Sequence, residues 1–312
     1  MRYLLALTAL LMLSCETKAQ QQETQSPVSL IVLGTVQDGG SPHIGCKRNC
    51  CAELFKNPDP ERKVVSLGVV DHINQKTYLF EATPDMSTQL KALKSYAGLE
   101  AETPEGIFLT HAHIGHYTGL MYLGREALGA HQVPVYAMPK MKAFLENNGP
   151  WSQLVALGNM DLIEMSDKRS VELTPHLTVT PFKVPHRDEF SETVGFKIFG
   201  PTKSVLFIPD IDKWHKWEES IAEEIRKVDL AFLDASFFDG KEINNRDIAE
   251  IPHPFVIESM ELFASLPPSE KEKIHFIHLN HTNPLLDKTS DASQSVRDAG
   301  YKVAQFHQKI GL

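Results

Sequence analysis

The chain has 312 residues, of which 42% are apolar and 23% charged, a composition typical of a soluble globular protein. This length allows one large domain or two small ones. The formal net charge of −9 argues against a nucleic-acid partner bound through its phosphates, because such binding depends on an excess of Lys and Arg.

The N-terminus predicts an export signal over residues 1–19. A short basic start is followed by an apolar stretch, 3–13, that is too short to span a bilayer. Met-Leu-Ser followed by Cys15 is similar to a lipoprotein cleavage site, whereas residues 17–19 suit ordinary signal peptidase. We therefore expect a periplasmic protein or an outer-membrane lipoprotein attached through a lipidated Cys15, with 20–27 as a polar tether.

Hydrophobic periodicity and turn signals divide residues 28–312 into interspersed strands and helices. The predicted strands are 28–34, 64–71, 77–82, 106–109, 133–137, 162–165, 171–173, 177–184, 194–199, 205–208, 230–233, 274–279 and 302–306. The predicted helices are a short one near Cys50, then 84–96, 116–129, 139–147, 214–227, 255–266 and 290–299. No linker or repeat separates the two halves. This pattern predicts one α/β domain over 28–312, a four-layer αββα sandwich with two sheets inside and helices outside.

Three histidines follow the predicted strand 106–109, in the sequence Thr-His-Ala-His-Ile-Gly-His. Because His111 and His113 alternate, their imidazoles can point the same way and bind one ion. His116, one turn later, can reach the far side of that ion or a second one. Imidazole nitrogen is a good ligand for zinc and similar metals, so this turn predicts a metal site.

Further candidate ligands stand at the ends of other predicted strands. His186 follows strand 177–184, Asp210 follows strand 205–208, and His278 lies at the end of strand 274–279, in the run Phe-Ile-His-Leu, with His281 three residues later. Each of these residues alone is weak evidence. Their common position at strand ends predicts that the fold brings them to the histidine turn.

The remaining cysteines are Cys46, Cys50 and Cys51, an odd number for an oxidising compartment. A disulfide between the adjacent pair would be strained. A closed zinc site made of the three thiolates and one imidazole from elsewhere accounts for all three residues. One disulfide with a buried free cysteine is the alternative.

Along the chain come a pair of histidines, a later histidine, an aspartate and a final histidine. This order resembles that of the metal ligands in the metallo-β-lactamase superfamily. The resemblance implies an αββα sandwich with one or two metals at the sheet edge. It assigns to the first metal His111, His113, His186 and Asp210. It assigns to the second metal His116, His278 and the bridging Asp210.

Gly115 departs from the pattern of that superfamily, whose first motif is normally His-x-His-x-Asp-His. Glycine cannot bind a metal, so the second set would be one ligand short. We therefore expect one firmly bound metal (Zn, Mn or Fe) and a second that is weak or absent. We also expect Gly115→Asp to create a second tight site.

Several segments resemble one branch of the superfamily, which contains the B protein of pyrroloquinoline-quinone (PQQ) biosynthesis and the phosphonate-pathway cyclic phosphodiesterases. They are Gly-Thr-Val-Gln-Asp-Gly-Gly at 34–40 with the cysteines after it, 81–85, 118–120, 135–137 and 276–284. The phosphodiesterases imply a structural zinc held by Cys46, Cys50, Cys51 and His281. His278 is then left for the active site.

Three functional hypotheses follow. The first is hydrolysis of an ester or phosphodiester in a small-molecule substrate by a metal-activated hydroxide, with His116 or Asp210 as base or proton carrier. The second is an iron-dependent oxygenase or redox enzyme related to PQQ synthesis. The third is a non-catalytic, lipid-anchored binding protein, which the retained histidines disfavour.

Other polar residues receive supporting roles at most. Asp234 could orient a metal ligand, and Asp85 is a candidate helix cap or structural support. The aromatic residues Trp151, Phe237 and Phe238 could line a substrate pocket or pack internally. Histidines placed at the surface or behind the ligands are His131, His176, His215, His253, His275 and His307.

Overall fold

The computed structural model describes residues 26–187, 189–243 and 247–312. The predicted signal peptide, Cys15 and most of the predicted tether lie outside the described residues. Within them, no helix combines the length and apolar character needed to cross a bilayer.

The first of two sheets is built mainly from the N-terminal half of the chain. Its strands are β1 (Val28–Gly34), β2 (Ser66–Asp71), β3 (Lys76–Phe80), β4 (Gly106–Phe108), β5 (Val133–Ala137), β6 (Met160–Glu164) and β14 (Lys309–Gly311). They lie in the order β14-β1-β2-β3-β4-β5-β6. Strands β3 to β6 run parallel, and β1 pairs with β2 and β14 in antiparallel fashion.

The second sheet repeats this arrangement. Its strands are β7 (Val171–Thr174), β8 (Leu177–Lys183), β9 (Val194–Phe199), β10 (Ser204–Ile208), β11 (Leu230–Asp234), β12 (Ile274–Ile277) and β13 (Lys302–Val303). They lie in the order β13-β12-β11-β10-β9-β8-β7, with β10 to β13 parallel.

Helices cover the outer faces of both sheets. The α-helices are α1 (Asn49–Ala52), α2 (Met86–Ala97), α3 (Ile114–Tyr117), α4 (Pro139–Asn147), α5 (Trp151–Ala156), α6 (Ile221–Arg226), α7 (Val256–Leu262), α8 (Pro268–Lys271) and α9 (Asp291–Asp298). Short 3-10 helices are Thr118–Leu123, Trp214–Lys216, Gly240–Glu242, Ile248–Glu250 and Pro284–Leu286.

The core has three apolar layers that follow from strand alternation. Along β1, Leu30 and Val32 join the cluster between the sheets, whereas Ile31 and Leu33 join the cluster under the first layer of helices. A third cluster lies between the second sheet and its helices. The two sheets and two helical layers confirm the predicted sandwich.

Three predicted helices are shorter than expected, and one of them, 255–266, is reduced to α7 (Val256–Leu262). The segment after His116 is not a helix to residue 129, because Gly119 N donates to Ala82 O (2.8 Å) and the chain continues as the 3-10 helix to Leu123. The prediction for 214–227 fails because Trp217 is extended and Ser220 caps a new helix, its side chain accepting from Glu223 N.

The C-terminal segment also differs from the prediction. The last predicted strand, 302–306, is reduced to β13, and the segment that follows adds the unpredicted β14 beside β1. The chain thereby ends in the first sheet, with the Leu312 side chain fully buried between the sheets.

The loops that follow β1, β4, β8, β10, β11 and β12 carry the candidate ligands. The carboxyl ends of neighbouring parallel strands lie at one edge of a sheet, and this is the usual position for sites in α/β folds. The fold therefore brings side chains from both sheets to one shared edge.

Candidate metal centre

The three histidines after β4 have different environments. His111 and His116 are buried, whereas the His113 side chain is 17% exposed and marks the open side of the cluster. His111 Nε2 lies 2.8 Å from His113 Nδ1, and Thr110 Oγ1 lies 2.9 Å from the other ring nitrogen of His111. Thr110 thus orients His111, whose Nε2 faces the same point as His113 Nδ1.

His186 and Asp210 approach this pair from the second sheet. Asp210 Oδ2 is 3.3 Å from His111 Nε2, 3.2 Å from His186 Nε2 and 3.9 Å from His113 Nδ1. The ligand atoms of all four residues lie within 4.8 Å of one another. The structure therefore assembles the whole set that the sequence assigned to the first metal.

His116 and His278, which the sequence assigned to a second metal, also lie close to Asp210. His116 Nε2 is 3.8 Å from Asp210 Oδ2. The third member of this group is a residue absent from the sequence-based set, Asp38, whose Oδ1 lies 3.5 Å from His278 Nε2. Asp38 follows β1, so its position after a buried strand was the available signal.

Asp38 also corrects the interpretation of Gly115. A Cβ atom added at Gly115 would lie 1.8 Å from Asp38 Cβ and 2.4 Å from Asp38 Cα. The place of the usual aspartate is therefore filled by another part of the chain. The expectation that Gly115 leaves this position without an acidic side chain is wrong, and Gly115→Asp cannot be accommodated without moving residue 38.

A buried network behind the ligands contains Asp234, Ser236 and His253. His253 Nδ1 lies 2.9 Å from Asp234 Oδ2 and 3.1 Å from Asp210 Oδ1. Ser236 Oγ donates to Asp234 Oδ1 (2.8 Å) and lies 2.9 Å from His278 Nδ1. Asp234 thus contacts a candidate ligand, His278, in agreement with its predicted role, and His253 lies behind the ligands, one of the two places predicted for it.

Glu81, which directly follows β3, supports His116. Its Oε2 lies 3.2 Å from His116 Nδ1, and both side chains are fully buried. Glu81 and His278 both have positive φ, at 77° and 65°. Such conformations are costly for residues other than glycine and accumulate at functional sites.

The charges of the cluster follow from these contacts. Burial opposes ionisation of Asp210, but His186, His253 and His278 outweigh that effect and hold its pKa well below the usual value. Burial lowers the pKa of His253, yet Asp234 and Asp210 more than compensate and raise it to about 10. Burial and the neighbouring His116 lower the pKa of His111, which favours the neutral form that binds metals.

Unpaired polar atoms show that the residues fit a metal. Buried atoms without a hydrogen-bond partner in the described part of the chain include His116 Nε2 and His278 Nε2. Such atoms are costly unless something else satisfies them. A cation bound between these imidazoles and carboxylates would do so.

The cysteine cluster lies in a separate place, beside the loop after β12. Cys46, Cys51 and His281 place their ligand atoms within 4.8 Å of one another. The exposed Cys50 has its sulfur 3.7 Å from that of Cys46, and all three thiols are free. The His43 ring stacks on His281 at 4.5 Å. Three of the four predicted zinc ligands thus converge, with Cys50 next to them.

The supporting residues have the following positions. Asp85 accepts from Val64 N (2.9 Å), in agreement with a structural role. Trp151 packs edge-on against Tyr117, and Phe237 packs against His253 and Phe255. Phe238 is half-buried against the core under the second helical layer. His275 is buried and stacks on Phe232.

Comparisons with known proteins agree with this geometry. The family model described as "Beta-lactamase superfamily domain" matches residues 76–276. Coenzyme PQQ synthesis protein B of Methylorubrum extorquens (strain PA1) is 25% identical, with 88% of this chain and 97% of that protein covered. The protein of the same description from Xanthomonas euvesicatoria pv. vesicatoria (strain 85-10) is 23% identical, over 91% of this chain and 99% of that one.

Two solved structures share the fold. Zn(2+)-bound PqqB from Methylobacterium extorquens superposes with a TM-score of 0.74 at 22% identity, covering 91% of this chain and all of that one. A diphosphatase from the PhnP family gives 0.63 at 22% identity, covering 91% and 96%. Since the family model covers well over half of the residues, the chain belongs to the metallo-β-lactamase superfamily.

Proposed function

We propose that the protein is a metal-dependent hydrolase acting on an ester or phosphodiester bond of a small-molecule substrate. The observation that carries this proposal is the convergence of His111, His113, His186 and Asp210 around one point at the sheet edge. A bound metal acidifies water and polarises the carbonyl or phosphoryl oxygen of a substrate. Superfamily membership and the fold of the PhnP-family diphosphatase support this class of reaction.

The protein's own residues would orient the ligands and move protons. Asp210 lies near both histidine groups, so its carboxylate can bridge two positions, and its lowered pKa keeps it ionised as a ligand. His253 has its Nδ1 occupied by two carboxylates, which leaves Nε2 to donate a proton to a leaving group. The partly exposed His113 is where a substrate would enter.

The test is to purify the chain without added metal and measure its zinc, manganese and iron. Turnover of bis(4-nitrophenyl) phosphate and of a chromogenic lactam is then assayed after loading with each metal. We expect hydrolysis that His111→Ala abolishes, whereas a matched change at the exposed His131 leaves it intact. Stoichiometric iron without any hydrolysis would contradict the proposal.

The second candidate is an iron-dependent oxygenase or redox enzyme of cofactor synthesis. It is favoured by the PQQ synthesis proteins, which match almost over their whole length. Three histidines and one carboxylate with an open side also suit Fe(II). Oxygen uptake by the iron-loaded protein with a pyrroloquinoline-type precursor would support it. Metal binding with neither hydrolysis nor oxygen uptake would support the non-catalytic alternative.

We also propose that the protein is exported and anchored through Cys15, from the basic start, the short apolar stretch and the cysteine of residues 1–19. Radioactive palmitate should label the full chain in cells, and Cys15→Ser should abolish the label. Recovery of unlabelled wild-type protein from the cytosol would exclude export. Label-free protein in the periplasm would instead indicate ordinary signal cleavage.

A further inference from the structure

Asp38 is part of a turn whose preceding residues are hydrogen-bonded to the segment after β12, which carries His278. Gln37 N donates to Leu279 O (2.9 Å), and Leu279 N donates to Thr35 O (2.8 Å). Val36 forms isolated bridges to both Val64 and Leu279. These contacts fix the backbone immediately before Asp38, so the fold determines where the turn begins.

The Asp38 carboxylate faces two histidine nitrogens that lack other partners. Its side chain is only 14% exposed, and Oδ1 lies 3.5 Å from His278 Nε2. Asp38, His116 and His278 place their ligand atoms within 4.8 Å of one another. Both His116 Nε2 and His278 Nε2 are buried without a hydrogen-bond partner among the described residues.

Gly115 complements this arrangement. Since an added Cβ would overlap Asp38 Cα and Cβ, only glycine lets the turn approach the helix α3 so closely. An aspartate at 115 and an aspartate at 38 would therefore compete for one volume. The chain contains glycine at the first position and the carboxylate at the second.

We propose that Asp38 is the carboxylate ligand of a second metal ion, which is also bound by His116, His278 and the shared Asp210. The acidic ligand of this ion thus comes from the loop after β1 and not from the histidine turn, and the centre holds two divalent ions. The proposal rests on the proposed metal centre but not on the reaction it performs. Two imidazoles and two carboxylates suit zinc or manganese.

The test measures metal equivalents per chain in wild type and in Asp38→Asn, after dialysis against buffered free zinc. The near-isosteric amide keeps the volume but loses the charge. We expect the variant to bind one equivalent fewer, or to bind it about tenfold or more weakly. Asp161→Asn, which removes an exposed carboxylate from β6, should retain the wild-type count.

Gly115→Ala is a second, independent variant, because its methyl group would push the turn away. It should lose the same equivalent while Asp38 remains present. A manganese-loaded wild type should show the magnetic coupling of two adjacent ions in electron paramagnetic resonance, and Asp38→Asn should show a single-ion spectrum. Circular dichroism checks that both variants are folded.

The outcomes separate this proposal from the proposed function. A full metal count and an unchanged affinity in Asp38→Asn would overturn the assignment of Asp38, even if the protein hydrolyses its substrate. A wild type with one ion at the sheet edge would overturn it as well. Loss of one equivalent in the variant would support it even if no hydrolysis is found.

Discussion

Each buried acid of the metal centre lies against a histidine. Glu81 is 3.2 Å from His116, and Asp234 is 2.9 Å from His253. Asp210 is within 3.3 Å of His111, His186 and His253. A buried carboxylate that loses its partner is strongly destabilising. Substitutions here must therefore preserve size and hydrogen bonding if their effect on activity is to be separated from folding.

His253→Gln tests the proposed proton donor. Glutamine keeps a hydrogen-bond donor but cannot release a proton. We expect kcat to fall by about 10² to 10⁴, a range typical of lost general acid catalysis, with the metal content unchanged. The loss should be smaller for a substrate with a good leaving group, such as 4-nitrophenolate, than for an alkyl ester. Equal losses for both substrates would show that His253 only positions Asp210.

The buried His275 allows the loss of stability in acid to be tested at a residue that is not a candidate metal ligand. Burial lowers its pKa to about 4, so the folded protein binds this proton only in strong acid. The unfolded chain binds it below about 6.5. Between these values the unfolded state holds more protons, so stability falls as the pH is lowered from 6.5 towards 4. The maximum contribution is about 3 kcal/mol.

His275→Phe should reduce that loss, since phenylalanine keeps the stacking on Phe232 but does not titrate. Urea unfolding at pH 7 and pH 4.5 gives the two free energies for each protein. The wild type should lose more stability between these pH values than the variant. An identical loss in both would assign the acid sensitivity to the carboxylates instead.

Among the structural elements, those predicted correctly from the sequence are defined by residues that lie close together along the chain. The histidine turn after β4 is local, because strand end, alternation and spacing all lie within a few residues. Asp38 was missed because it reaches the centre only through tertiary contacts of its loop, and for the same reason His253 was predicted only to lie at the surface or behind the ligands. Asp38 follows a strand just as Asp210 does. However, it lies in a glycine-rich segment, where an aspartate is equally typical of an ordinary turn.

The incorrectly predicted helix at 214–227 shows the same limit. Its apolar spacing is helical, but Trp214 and Trp217 donate their indole N–H groups to different partners, Ser259 Oγ and Lys183 O. These contacts hold the two rings apart and keep Trp217 extended. Packing against α7 and β8 therefore keeps the chain extended at Trp217, although the apolar periodicity of this segment alone favours a helix.

The cysteine loop is an element whose stability should depend on metal. It has little secondary structure besides α1, and Cys46 and Cys51 connect it to His281 in the loop after β12. A structural zinc contributes its binding energy to folding. His281→Ala should therefore lose one zinc per chain and lower Tm by roughly 5 °C, the shift expected for a loss of about 2 kcal/mol.

The control for His281→Ala is His131→Ala, which removes an exposed imidazole and should leave Tm unchanged. Cys50→Ser reports separately on the fourth ligand. If zinc is lost with Cys50→Ser, its thiolate completes the site. A His281→Ala protein with full zinc content and unchanged Tm would mean that the cluster is not a zinc site.

For the whole molecule, the metal centre joins the two sheets. The first sheet contributes Asp38 and the histidines after β4, whereas His186, Asp210 and His278 come from the second. Bound ions would cross-link the two sheets at this edge. Without them, the buried carboxylates of Asp210 and Asp234 have only their histidine neighbours to compensate for the loss of water, which weakens the same interface.

Metal removal should therefore lower the stability of the entire domain. Zinc at about a thousand times its Kd contributes about 4 kcal/mol, which corresponds to roughly 10 °C in Tm. Calorimetry of chelator-treated protein, with and without zinc added back, measures this increment. It should persist in His281→Ala, whose sheet edge is intact, and shrink in His111→Ala. If zinc raised the Tm of His111→Ala as much as that of the wild type, the stabilising ion would be bound elsewhere than between the sheets.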